Sequence, residues 1–95
     1  MPTPMQCFRQ QRANARRRDI DFYLTFDEWW AIWKESGLYH LRGRRGFVMH
    51  RNGDEGAYEV GNVEIVSATE NFRHAMEKHY DGDIFLLINY LNFLL

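Results

Sequence analysis

Residues 47–74 read FVMHRNGDEGAYEVGNVEIVSATENFRH, and this stretch decides the fold. Phe47–His50 and Val63–Val66 are short runs rich in β-branched and apolar residues, the signature of strands. Between them lies a polar, glycine-bearing connection, Arg51-Asn52-Gly53-Asp54-Glu55-Gly56, followed by Tyr58 and Gly61-Asn62. The pair therefore reads as a hairpin with a long loop. Ser67-Ala68-Thr69-Glu70 follows at once and is a helix start, in which the hydroxyl accepts from the third helical N–H while the glutamate reaches back. A third helix is expected from there to about His79, with Phe72, Ala75, Met76 and His79 facing inward and Asn71 and His74 sharing another face. Strand, loop, strand, helix within a mostly helical chain makes the fold class α+β.

Upstream, the same capping chemistry recurs at Thr3-Pro4-Met5-Gln6 and Thr25-Phe26-Asp27-Glu28. A first helix is expected from about Pro4 to Arg18, with Pro4 suited to the first helical position. Ile20, Phe22 and Leu24 alternate with polar neighbours, so an extended segment follows. A second helix runs from Phe26 to about Ser36 and Gly37 is placed to end it. Phe26, Trp29, Trp30 and Trp33 recur at helical spacing, and this stripe reads as core rather than as a base-stacking surface. Ile84–Leu95 is expected to form a fourth, apolar helix or a strand. With 95 residues, the whole chain 1–95 is one domain.

The formal net charge of −1 conceals a division. Residues 1–51 carry +5 and residues 52–95 carry −6. Five arginines, Arg9, Arg12, Arg16, Arg17 and Arg18, stand before the first acidic residue, and Arg9, Arg12 and Arg16 share one helical face. Leu41-Arg42-Gly43-Arg44-Arg45-Gly46 adds a basic loop whose glycines let the backbone approach another surface. Arg9, Arg12, Arg16, Arg42, Arg44, Arg45 and Arg51 are the candidates for phosphate contact, with DNA the expected polymer.

Cys7 is the single cysteine, which rules out an internal disulfide and argues against a cysteine-ligated zinc. No run approaches the length that spans a bilayer, and the first residues lack the order of a secretory leader. A cytoplasmic protein with no membrane partner is expected.

From Met49 to His74 the chain resembles the phage homing-endonuclease branch of the HNH superfamily. That pattern runs roughly D-H, a glycine-containing loop, D-N-L, then E-N-x-R-H. His50 falls on the first-strand histidine, Asn62 on the central asparagine and Asn71 on the helix ligand position, and Arg73-His74 closes the motif. The resemblance implies a ββα-metal unit at 47–79 and a small phage or prophage protein, at work in the cytoplasm of a bacterial host cell. It implies His50 as general base, Asn62 holding the loop and orienting that histidine, and one Mg²⁺ or Mn²⁺ held by a carboxylate with Asn71, or with His74. The chain departs from the pattern at Met49, where the family has a carboxylate and a thioether is a poor ligand for a hard cation. Asp54 or Glu55 could replace it, or His74 could join Asn71 around a softer metal. Another register sets Arg51, not His50, at the histidine position.

Three functions follow from this reading. One is a metal-dependent endonuclease that hydrolyses phosphodiesters. Another is a nucleic-acid-binding module that keeps the fold without the cation. The third is a phage-encoded inhibitor or adaptor that binds a host protein, motivated by the apolar segment 84–95, which would serve as a docking or homodimer surface if the core does not cover it.

Overall fold

Two reciprocal caps start the helices of this protein, whose computed structural model describes residues 2–43, 45–69 and 71. The Thr3 hydroxyl accepts from the Gln6 N–H at 3.2 Å while the Thr3 N–H donates to Gln6 Oε1 at 2.8 Å. Thr25 and Glu28 repeat the arrangement at 3.2 and 2.9 Å. Each box satisfies amide donors that a helix start would otherwise leave bare. Helix α1 then spans Pro4–Arg17, one residue short of the expected end, with Arg18 as its cap. Helix α2 spans Phe26–Ser36 and stops at Gly37, whose φ of 70° is the left-handed geometry that glycine adopts without penalty.

The aromatic stripe is core, as its spacing predicts. Trp29 and Trp33 are fully buried, and Phe26 and Trp30 pack partly buried beside them. From α1, Phe8 meets Phe22, Phe26 and Trp29 edge-on at 5.6, 5.6 and 5.7 Å between ring centres. Such edge-to-face contacts suit the ring quadrupoles. Gln11 joins three elements across this core. Its side-chain oxygen accepts from Trp29 Nε1 at 2.8 Å, and its amide nitrogen donates to the Met49 carbonyl at 3.4 Å.

Strands β1, Phe47–Arg51, and β2, Val63–Ser67, pair antiparallel with Phe47 opposite Ser67 and His50 opposite Glu64. The architecture of the described residues is α+β, two helices with a two-stranded hairpin. The chain turns helical again at Ala68, Thr69 and Asn71. The remainder of the expected third helix, the segment 84–95, His74 and Arg44 lie outside the described residues. The expected extended segment is shorter than its alternation suggests. Only Phe22 pairs, in an isolated parallel bridge to Tyr58. Among the described residues, no helix is long and apolar enough to cross a membrane.

Gly46 corrects the reading of the basic loop. A Cβ at this position would stand 1.9 Å from the Leu41 carbonyl oxygen, while the Gly46 carbonyl accepts from the Ala68 N–H at 2.8 Å. The close approach that this glycine permits is therefore to the chain's own turn at Tyr39–Leu41, where the sequence alone suggested a foreign surface.

Candidate functional site

Alternation along β1 sends successive side chains to opposite faces. Met49 goes to the aromatic core and is 5% exposed, whereas His50 goes to the opposite face and is covered there to 8%. Two side chains meet His50 there, one from β2 and one from the helical turn that follows it. His50 Nδ1 lies 3.2 Å from Asn71 Oδ1, and His50 Nε2 lies 2.9 Å from Glu64 Oε1. The Glu64 carboxylate can only accept, so Nε2 is the donor on that side, while Nδ1 faces the Asn71 side-chain amide. The imidazole thus ties the hairpin to the start of the helix.

Glu64 is the residue that sequence reasoning missed. It is the direct cross-strand partner of His50, and its side chain is 59% exposed at the open edge of the junction. A paired register would have revealed it, but a connection as long as 52–62 does not fix which residues face each other.

Asn62 works at the loop. Its amide nitrogen donates to the Glu55 and Ala57 carbonyls, each at 2.8 Å, and its own carbonyl accepts from the Asn52 N–H at 2.9 Å. Gly56 lies against that amide, where a Cβ would approach Nδ2 to 3.1 Å. The structure therefore brings His50 and Asn71 together and sets Asn62 apart as the brace of the loop.

The arginines divide. Arg51, one of the candidate phosphate contacts, is 8% exposed and turned inward. It donates to the Gly56 carbonyl at 2.7 Å and to Asp54 Oδ1 at 3.0 Å, and it sits 5.5 Å over the Tyr58 ring. Its place is inside the loop, because the chain folds back over the strand end and supplies a carboxylate and a carbonyl to the guanidinium. Arg42 is half-buried, 5.8 Å above both Trp29 and Trp33, so it caps the aromatic core. Arg9, Arg12, Arg16, Arg17, Arg18 and Arg45 are exposed. Arg12 lies 5.1 Å over Phe8, which steadies it while its edge stays in solvent.

A hard divalent cation needs several oxygen ligands converging on one point. The position before His50 is buried in the core as Met49, and Asp54 is engaged by Arg51. Glu64 and Asn71 approach His50 through different ring nitrogens, which point away from each other. Among the described residues no three His, Cys, Asp or Glu side chains gather into a metal site. The described donors do not fit the cation that the HNH resemblance implies.

The chain matches no family model, no curated protein and no solved structure.

Proposed function

We propose that this protein is a nucleic-acid-binding module on an HNH-like scaffold, with DNA as its polymer, and that it binds without cutting. One observation carries the reading. Five arginines on α1 and its cap are exposed, no acidic residue interrupts α1, and none of the five is ion-paired among the described residues. An array of unneutralised guanidinium groups along one helix is suited to a polyanion, since each phosphate contact releases a condensed counterion. The scaffold part rests on the order of strand, braced loop, strand and helical turn, with Asn62 holding the loop and His50 meeting Asn71. His50 serves as a clasp between hairpin and helix. Its Nε2 faces a carboxylate, and the donors among the described residues assemble no cation site, which supports binding over hydrolysis.

Anisotropy of a labelled duplex over a salt series tests the binding. Affinity should fall linearly with salt on logarithmic axes, and Arg9→Ala or Arg45→Ala should each lower the slope by about 1 for every phosphate that the variant no longer neutralises. An affinity indifferent to salt refutes the interface. Plasmid nicking with Mg²⁺ or Mn²⁺ tests the rest: cutting that disappears in His50→Ala would replace the binding module with an enzyme.

A further inference from the structure

A cavity of about 260 Å³ opens between the end of α1 and the segment that follows it. Arg12 and Arg16, one helical turn apart, line it together with Asp19, Asp21 and Tyr23. Ile20 and Phe22 make an apolar part of its lining. These walls are fixed. The Ile20 N–H donates to the Ala15 carbonyl at 2.9 Å, and Asp21 and Tyr23 exchange backbone hydrogen bonds with Tyr58 at 2.9 and 2.8 Å. The Phe22 ring is held between Phe8 and Tyr58, at 5.6 and 5.4 Å.

The charged groups of the lining do not pair as ions. No ion pair joins Arg12 or Arg16 to Asp19 or Asp21 among the described residues. Tyr23 stands 63% exposed at the rim. A simple anion would meet the two carboxylates and a simple cation the two guanidinium groups. The fitting ligand is flat and presents donors on one edge and acceptors on another. Guanine does so: N1–H and N2–H₂ lie together for a carboxylate, and O6 and N7 lie together for a guanidinium. The volume lies just under that of pockets for drug-sized ligands, which suits a single base with its sugar phosphate.

We propose that this cavity is a guanine-nucleotide subsite. Asp19 and Asp21 accept from the donor edge of the base, one of Arg12 and Arg16 donates to O6 and N7, and the other meets the phosphate. The exposed Tyr23 ring supplies a stacking face, as aromatic side chains do for unpaired bases. The site shares Arg12 and Arg16 with the proposed nucleic-acid face but no residue with the His50 junction, so it stands whether or not that junction has a chemical role.

The free nucleotide and a guanosine within single-stranded DNA offer the same chemistry, and the experiment separates them. Amide spectra of the full chain are followed while GMP, AMP, or an oligothymidylate with or without one central dG is added. GMP or the dG-bearing strand should shift the amides of residues 12–23, with affinity roughly tenfold or more above AMP or plain oligothymidylate. Binding by GMP identifies the free nucleotide as a ligand, and binding by the dG strand alone identifies the polymer. The double variant Asp19→Asn with Asp21→Asn should erase the preference for guanine. Asn tolerates the φ of 57° at Asp19, so the fold is kept, as dispersed amide signals will verify. Equal affinity for GMP and AMP with no dG preference, no saturable binding to any probe, or a preference that survives the double variant would overturn the assignment.

Discussion

Replacing Asn62 tests the loop brace directly. Its amide nitrogen donates to two carbonyls at 2.8 Å, so Asn62→Ala removes two hydrogen bonds and strips the Glu55 and Ala57 carbonyls of this partner. At a net 0.5–1.5 kcal/mol for each bond, the loss is about 1–3 kcal/mol. Asn62→Asp is the sharper change, because it sets a carboxylate against two carbonyl oxygens and turns attraction into repulsion. It should cost more than the alanine variant although it is closer in shape. For a domain of this size, about 2 kcal/mol corresponds to a fall in Tm of roughly 8–16 °C. Urea unfolding by tryptophan fluorescence measures both, with the slope unchanged if only the native state is affected. A midpoint shift equivalent to less than about 0.5 kcal/mol in both variants, the range of ordinary surface changes, would refute the brace.

Three further outcomes are expected. Gly46→Ala should destabilise by about 3 kcal/mol or more, because its methyl group meets a backbone carbonyl rather than a movable side chain; Gly53→Ala, in open space at a φ of 63°, should cost only about 1–2 kcal/mol, and equal losses in urea unfolding would contradict the clash at Gly46. Trp29→Phe should cost about 1–2 kcal/mol more than Trp33→Phe by the same assay, since Trp29 Nε1 donates to Gln11 whereas Trp33 Nε1 is buried with no partner among the described residues; matched losses would count against that bond. Burial, then the hydroxyl's bond to Cys7 Sγ, raises the Tyr39 phenol above 10.0 against an opposing pull from Arg42. The raised value favours the protonated, folded form, so this contribution to stability is complete below 10.0 and disappears as pH climbs through the folded value. Ultraviolet titration should show a late portion that shrinks in Tyr39→Phe and does not vanish, because Asp21 raises the Tyr23 phenol as well; a late portion unchanged in size by that variant would oppose the assignment.

Local chemistry was legible where neighbouring residues decide it. Thr3, Thr25, Gly37 and the tryptophan spacing each act within a turn or two, and the structure places both helices within a residue of their expected bounds. The hairpin was legible too, since β propensity and a polar loop are local signals. What escaped depends on residues distant in sequence. Arg51 looks like any exposed cation until the loop closes over it with Asp54 and Gly56. Glu64 becomes the partner of His50 only when the register is set, and the segment at Asp21 and Tyr23 that lines the cavity is held by the backbone of the distant Tyr58.

The seat of Met49 among aromatic rings has a practical consequence for protein engineering. Grafting an aspartate there, in the hope of rebuilding a hydrolase, would drive an ionised group into hydrocarbon surroundings, where solvation is lost and nothing compensates. Such a graft would melt the molecule before it recruited an ion. A designer seeking catalysis should start on the solvent side of the strand, where a new acidic group could share water with Glu64.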